Sequence, residues 1–221
     1  MGTPGRKWGM AIDLQRCVGC WTCSIACKVE HNVPMGLTWN RILTEGGAAI
    51  DEPKGTYPDL EMQYIPVACQ HCEDAPCVKV CPVSATYKRA DGIVAIDYDR
   101  CIGCRYCMAA CPYGVRVFNW GEPVPLVAGV KLGDAAVPDR RRGVVEKCDF
   151  CMERVDRGEQ PFCVEVCPER ARVFGDLNDP NSEVSVLIRE KGGTQLLAEA
   201  GTRPQVYYLP RQRQRREMQI G

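Results

Sequence analysis

Cysteine is the residue whose number and spacing in this 221-residue sequence most clearly indicate a chemistry, because sixteen cysteines fall into four groups of four. Groups one and three share the spacing C-x2-C-x2-C-x3-C, and groups two and four lengthen its middle gap to four and eleven residues. In order, the groups are Cys17, Cys20, Cys23 and Cys27; Cys69, Cys72, Cys77 and Cys81; Cys101, Cys104, Cys107 and Cys111; and Cys148, Cys151, Cys163 and Cys167.

This spacing is typical of the ligands of [4Fe–4S] clusters, and in two-cluster ferredoxins the fourth cysteine of a run ligates the neighbouring cluster. Zinc sites instead arrange their ligands as two pairs, a pattern that only group four resembles when it is taken alone. A disulfide framework is typical of short secreted chains, whereas this chain is long and repeats its ligand spacing. The cysteines therefore predict iron–sulfur clusters.

The elements that position these ligands can also be predicted. We expect the fourth cysteine of a group to start a helix, with Pro82, Pro112 or Pro168 in its first turn, where a missing N–H is tolerated. Gly19 and Gly103 are expected in tight loops, where the missing Cβ lets backbone amides approach the sulfurs. Short strands are expected over residues 9–14 and 93–96, each leading into a cluster loop.

The sequence also repeats itself. Residues 12–20 resemble residues 96–104 at an offset of 84, and residues 77–82 resemble residues 163–168 at an offset of 86. Each half therefore carries one tight and one gapped group, which predicts two related structural units.

Two-cluster units require pairs of groups that exchange their fourth ligands. Groups two and three are natural partners because only the short hairpin region of residues 85–100 lies between them. Groups one and four are then left to form the other unit. The pairing of one with two and three with four stays possible from spacing alone. The favoured ligand sets are Cys17, Cys20, Cys23 and Cys167 (site 1); Cys27, Cys148, Cys151 and Cys163 (site 2); Cys69, Cys72, Cys77 and Cys111 (site 3); and Cys81, Cys101, Cys104 and Cys107 (site 4).

The predicted fold class is α+β, with two ferredoxin-like two-cluster domains, loop insertions and a C-terminal extension. Within that extension we expect a capped helix over residues 183–190, a strand over residues 205–209 and a solvated basic tail containing Arg211, Arg213, Arg215 and Arg216. The predicted divisions are residues 1–66 with 140–180 (first unit, with an insertion of loop and short strand over 30–67), 67–115 (second unit), 116–139 (loop insertion) and 181–221 (C-terminal extension).

Other residues add few candidates. His71 lies between two ligands of group two, where it either tunes a cluster or is a spectator, and His31 is expected at the surface. Trp21, Trp39 and Trp120 are expected in a core or an interface. The balance of 28 basic and 28 acidic residues disfavours nucleic-acid binding. We find no acid–base or nucleophile pattern, so the iron–sulfur ligands predict a non-catalytic role in electron transfer. We also find no secretory signal and no apolar run of membrane-spanning length.

Several strings resemble a known family. Residues 69–72 (CQHC), 75–82 (APCVKVCP), 110–115 (ACPYGV), 175–180 (GDLNDP) and 199–204 (EAGTRP) are similar to the iron–sulfur (beta) subunits of molybdopterin oxidoreductases of the dimethyl sulfoxide reductase superfamily. The resemblance is greatest to the beta subunits of respiratory arsenate reductases and of polysulfide, thiosulfate or tetrathionate reductases. It implies groups paired one with four and two with three, and, because Cys101 is not replaced by tryptophan, four [4Fe–4S] clusters.

The resemblance also implies partners. It predicts an electron relay between a membrane anchor subunit that reacts with quinone or quinol and a catalytic subunit that holds the molybdopterin guanine dinucleotide and selects the substrate. Relatives are exported with a catalytic partner that bears a twin-arginine signal, which predicts the periplasmic face of the membrane, with a cytoplasmic location as the alternative. The alternative function is a freestanding polyferredoxin-like carrier.

Overall fold

A computed structural model describes residues 2–211, so Arg213, Arg215 and Arg216 of the predicted basic tail lie outside the described residues. The helices are α1 (Thr22–Glu30), α2 (Pro76–Lys79), α3 (Tyr106–Ala109), α4 (Met152–Asp156), α5 (Phe162–Glu165) and α6 (Glu183–Lys191). The strands are β1 (Trp8–Asp13), β2 (Arg41–Glu45), β3 (Lys54–Thr56), β4 (Asp59–Glu61), β5 (Gln63–Val67), β6 (Thr86–Lys88), β7 (Val94–Ile96), β8 (Val117–Phe118), β9 (Val145–Glu146), β10 (Arg172–Asp176) and β11 (Val206–Leu209).

A three-stranded sheet in the order β10-β1-β11 joins the two ends of the described chain. β1 is antiparallel to β10 and parallel to β11. Because β1 is the central strand and both of its faces are covered, its residues from Gly9 to Asp13 are all buried. The predictions of strands near residues 9–14, 93–96 and 205–209 are confirmed.

The two faces of β1 belong to different cores. Met10 and Ile12 pack in a core with Phe150 and Phe174, which lies on the side of the cysteine loops. Ala11 packs in a second core with residues of α6 and β11. The predicted capped helix is confirmed, since Ser182 at the N-cap of α6 accepts a hydrogen bond from the backbone N–H of Ser185.

The segment between groups two and three is a hairpin of β6 and β7. Val94 and Ile96 of β7 are buried in a core that also contains Cys72, Cys77 and Cys107. Groups two and three therefore share one small core, in which cysteines replace much of the aliphatic side-chain volume of an ordinary domain.

The predicted insertion over residues 30–67 contains two hairpins, β2 with β5 and β3 with β4. The hairpin of β3 and β4 is exposed, as the expectation of surface loop and short strand requires. The same expectation is wrong for the inner end of the segment, because Trp39 and Ile42 are buried in the core.

The loop from residue 116 to 139 has little regular structure, but its C-terminal part is anchored to the rest of the fold. The Asn32 side chain, just after α1, exchanges two hydrogen bonds with the backbone of Leu132. Beyond the loop, Arg140 is buried, with its guanidinium over the rings of Trp39 and Tyr98. The longest helices among residues 2–211 have nine residues, and none is long and apolar enough to cross a lipid bilayer.

Leu209 tests the role of β11 in holding the sheet together. Its side chain is buried between β1 and α6, so Leu209→Ala should lower stability by about 2–5 kcal/mol through lost burial and an unfilled cavity. Leu43→Ala, at a half-exposed position, is the matched control and should change stability by about 0.5 kcal/mol or less. Denaturant unfolding followed by circular dichroism under anaerobic conditions measures both, and equal midpoints for the two variants would contradict the prediction.

Candidate iron–sulfur cluster sites

The cysteines of site 1 line one cavity, which forms where the loop after β1 faces the turn after α5. Gly19 in this loop has φ +69°, and an added Cβ would lie 2.5 Å from the ring of Tyr64, so the close approach requires glycine. The cavity lining contains Cys17, Cys20, Cys23 and Cys167, together with Ile42, Pro66 and Arg172.

The cysteines of site 2 line a second, adjacent cavity. Cys27 is on the buried face of α1, one helical turn after Cys23, so the two thiols project from the same face of the helix into different cavities. Arg172 belongs to the wall of both cavities. The lining of the second cavity contains Cys27, Cys148, Cys151 and Cys163, together with Cys69, Gln70, Phe150 and Asn40.

The cysteines of site 3 line a third cavity, beside the core of the β6–β7 hairpin. Cys69 and Gln70 contribute to this cavity as well as to that of site 2. The three cavities are similar in size, with about 420, 380 and 330 Å³ of space between protein atoms, partly open to solvent, at sites 2, 1 and 3. The lining of the third contains Cys69, Cys72, Cys77 and Cys111, together with Val94 and Arg116.

At site 4, two of the four cysteines meet around Thr86 of β6. The Thr86 backbone N–H donates to Cys81 Sγ at 3.4 Å, and its hydroxyl interacts with the thiol of Cys107. Cys101 is near enough to Cys107 to influence its ionisation. Cys104 is exposed at the tip of the same loop.

The predicted position of the helices is wrong for all four groups, since no fourth cysteine starts a helix. α2, α3 and α5 each contain the third cysteine of their group and end before the fourth. The proline after the fourth cysteine therefore lies beyond the helix, where its fixed φ and missing N–H prevent the helix from continuing. In group one, by contrast, α1 continues through Cys27, which is followed by Lys28 rather than proline.

The loops of groups one and three have the same backbone conformation. Gly103 has φ +69°, as Gly19 has, and Trp21 and Arg105 immediately precede α1 and α3 in the left-handed region with φ of 62° and 63°. A left-handed non-glycine residue costs of the order of 1–2 kcal/mol. This cost recurs at equivalent positions of the two loops. The arrangement of the ligands in the loop, rather than the propensity of the individual residues, therefore determines the backbone conformation.

Without a metal ion, most of the deeply buried thiols favour the protonated form. All sixteen cysteines lie within the described residues and none forms a disulfide. Burial raises the pKa of the thiols of Cys27, Cys151 and Cys163, so these buried groups require metal ions to hold them as thiolates. Burial also opposes the charge of Cys69, but His71, Lys147 and Arg116 outweigh it and lower the pKa of Cys69 to about 5.

Two buried hydrogen-bond donors next to the cysteines have no nitrogen or oxygen acceptor within the described residues, and thiols lie beside them. They are Arg116 Nη2 and His71 Nε2. His71 Nδ1 accepts a hydrogen bond from the N–H of Val94 at 3.1 Å, so the proton of the neutral ring is on Nε2, on the side of Cys69. His71 interacts with Cys69, and Arg116 interacts with Cys77 and Cys107. Thiolate or cluster sulfurs would accept hydrogen bonds from both donors, so the site fits an iron–sulfur cluster. These contacts favour the interpretation that His71 tunes a cluster over the interpretation that it is a spectator.

The prediction that His31 lies at the surface is wrong. Its side chain is 1% exposed, and Nε2 lies 3.2 Å from Asp149 Oδ1. Burial lowers the pKa of His31, but the Asp149 carboxylate and a contact with Cys27 O outweigh it and raise the pKa overall. Asp149 is 118 residues away in the sequence, between two ligands of group four, so no local pattern indicates this pair. Among the tryptophans, Trp39 is buried, whereas Trp21 and Trp120 are exposed.

Comparisons with known proteins agree with this class of site. The family model of the 4Fe-4S dicluster domain matches residues 60–124 and 134–177. The fold and cysteine sites therefore define an iron–sulfur protein of the dicluster ferredoxin class.

Several relatives match nearly the whole chain. A protein of Halobacterium salinarum assigned as an iron–sulfur subunit of dimethyl sulfoxide reductase is 58% identical over 209 residues, which cover 92% of this chain and 79% of that protein. The arsenate respiratory reductase iron–sulfur subunit ArrB of Shewanella sp. strain ANA-3 is 43% identical, with 92% and 96% covered. A selenate reductase subunit of Mesobacillus selenatarsenatis is also 43% identical, with 92% and 72% covered. The chain belongs to the family of iron–sulfur subunits of dimethyl sulfoxide reductase-type enzymes, and its class of function is electron transfer.

Gly103 and Gly143 form a matched pair that tests the packing of the group-three loop. Both have positive φ, but an added Cβ at Gly103 would lie 2.2 Å from Gly143 O, whereas one at Gly143 would meet nothing within 4 Å. Gly103→Ala should therefore lower cluster content at site 4, and Gly143→Ala should add only left-handed strain, about 1–2 kcal/mol. Iron per chain after anaerobic purification measures the difference, and equal losses would show that φ alone matters.

Proposed function

We propose that this chain relays electrons through four [4Fe–4S] clusters, at sites 1 to 4, between a membrane quinone or quinol partner and a molybdopterin catalytic subunit of a respiratory oxyanion or sulfur-compound reductase. The observation that carries the proposal is the sharing of walls between neighbouring sites. Arg172 lines the cavities of sites 1 and 2, and Cys69 lines those of sites 2 and 3. Arg116 lines the cavity of site 3 and interacts with Cys107 of site 4. When bound, such clusters supply one-electron transfer.

The exposed ends of this series support its use as a relay. Cys20 at site 1 and Cys104 at site 4 are exposed, whereas the cysteines of site 2 are buried or half-buried. Exposed apolar residues lie close in sequence to both thiols: Val18 and Ile25 on either side of Cys20, and Ile102 just before Cys104. Partners docked on these two surfaces would each approach one terminal site, and the protein around sites 2 and 3 would exclude other redox partners.

The proposed ligand sets pair group one with group four and group two with group three, as two ferredoxin-like units related by an internal repeat. The cavity linings support the first exchange, since Cys167 lies with Cys17, Cys20 and Cys23. The matched conformations at Gly19 and Gly103 support the repeat. We assign the divisions at residues 1–66 with 140–180, 67–115, 116–139 and 181–221 as predicted, with β11 of the C-terminal extension completing the sheet of the first unit.

The names of relatives support the proposed partners. They include subunits of arsenate and selenate reductases and of a menaquinone reductase. We propose that the molybdopterin guanine dinucleotide is bound by the catalytic subunit, that a separate subunit provides the membrane anchor, and that the complex lies on the periplasmic face after export with its catalytic partner. Deleting the partner's twin-arginine signal should then retain this chain in the cytoplasmic fraction; an unchanged distribution would contradict export in this form.

Paired alanine variants test the ligand sets. If Cys20 and Cys167 hold the same cluster, Cys20→Ala, Cys167→Ala and the double variant should each retain about twelve of about sixteen irons per chain, because all three lose one cluster. In the control double variant Cys20→Ala with Cys104→Ala, two clusters are lost and about eight irons should remain. About eight irons in the Cys20/Cys167 double variant would instead favour the pairing of one with two and three with four.

The composition of the complex tests the function itself. Anaerobic purification of the tagged chain should yield about sixteen irons and sixteen acid-labile sulfides, together with a large subunit that contains molybdenum or tungsten. A cluster-loaded monomer would instead support the freestanding carrier, and zinc in place of iron would contradict both functions.

A further inference from the structure

Three buried cations lie between the proposed cluster sites, one in each gap. Arg172 and Arg116 are each 5% exposed and Lys147 is 1% exposed. Arg172 lines the cavities of sites 1 and 2. Lys147 donates to the carbonyl of Cys148, a ligand of site 2, and its charge acts on Cys69 of site 3. Arg116 interacts with Cys77 of site 3 and Cys107 of site 4.

In the part of the chain that the structure describes, no Asp or Glu oxygen lies within 4.0 Å of the three cations. The buried Asp149 carboxylate is near enough to Lys147 to interact with its charge, so the two arginines are the clearest cases. Their hydrogen-bond partners are neutral: Asn40 Oδ1 and Met10 Sδ for Arg172, Thr86 Oγ1 for Arg116, and the carbonyls of Val94 and Cys148 for Lys147. A buried, unpaired charge is strongly unfavourable. Arg89, which is also buried, is in contrast paired with Asp91 and Asp156.

The arrangement of the two arginines is systematic. Arg172 follows Cys167 by five residues, and Arg116 follows Cys111 by five residues, so each occupies the same place after the last cysteine of its group. Arg172 begins β10, whose pairing with β1 fixes its position between the loops of groups one and four. The repeated placement indicates a role tied to the pair of sites on either side.

We propose that Arg172 and Arg116 are the countercharges shared by sites 1 and 2 and by sites 3 and 4, respectively, and that they raise the reduction potentials of the two clusters beside them, with Lys147 acting likewise between sites 2 and 3. This inference rests on the proposed function, since it requires clusters at these sites. The sign follows from Coulomb's law, because each electron that a cluster gains makes it more negative, and a cation in a poorly screened interior stabilises that reduced state. The three cations raise the reduction potentials of the clusters and are not themselves oxidised or reduced.

The test is a potentiometric titration of the intact cluster-loaded chain in its complex, followed by electron paramagnetic resonance. Cysteine variants that each lack one cluster assign the signals to the sites. Arg172→Gln should lower the reduction equilibrium constants at sites 1 and 2 about tenfold, which corresponds to ~59 mV for a one-electron couple, and leave sites 3 and 4 nearly unchanged. Arg116→Gln should show the reverse. The charge-retaining variants Arg172→Lys and Arg116→Lys should restore most of each potential.

Asn40→Asp provides a second route that keeps Arg172 in place. Asn40 Oδ1 accepts from Arg172 at 3.0 Å, and its Nδ2 has no partner within the described residues, so a carboxylate there would neutralise the arginine with little change in shape. It should lower the potentials of sites 1 and 2 as Arg172→Gln does, even if the glutamine variant fails to assemble. Arg189→Gln, on the exposed surface of α6, is the control for a lost positive charge and should shift nothing.

The outcomes separate this inference from the function on which it rests. Four clusters with unshifted potentials in Arg172→Gln or Asn40→Asp, or equal shifts at all four sites, would overturn the shared-countercharge proposal and leave the relay intact. Fewer than four clusters in the unmodified chain would overturn the proposed function instead.

Discussion

The meeting of group one with group four is the constraint on which the rest of the structure depends. Cys27 and Cys148 line the same cavity although 121 residues separate them. Nothing local brings them together; the antiparallel pairing of β1 with β10 does so, because it places the loop that follows β1 beside the segment that precedes β10, at the same end of one sheet. The groups that are close in sequence need only a short hairpin, and their core is correspondingly smaller.

The chemistry of the sites is predictable from sequence because cluster ligation is a local requirement. Three cysteines and a glycine within one loop specify the backbone almost completely, and the left-handed residues Trp21 and Arg105 show how far ligand geometry overrides propensity. The spacing therefore predicts the class of cofactor, and the resemblance of the strings around and beyond the cysteines predicts the family. The capped helix α6 and the strand β11 are equally local and are also predicted correctly.

The contacts that sequence reasoning misses are those made by single polar residues across the fold. His31 contacts Asp149, and Arg140 contacts Trp39 and Glu146. These contacts form where distant segments pack together, and no spacing pattern in the sequence links those segments. The helix positions fail for a related reason. A proline after a cysteine is compatible both with the first turn of a helix and with the residue that stops one, and only the path of the whole loop decides between them.

The parallel pairing of β1 with β11 has a consequence for biosynthesis. The hairpin unit between groups two and three is contiguous, so its ligands are all available soon after they leave the ribosome. The sheet that carries groups one and four cannot close until residue 209 has been synthesised, since β1 waits for partners from the far end of the described chain. With the proposed ligand sets, the thiols of Cys17 to Cys27 stay reduced and without their cluster until then, so iron and sulfide reach this half after the contiguous unit.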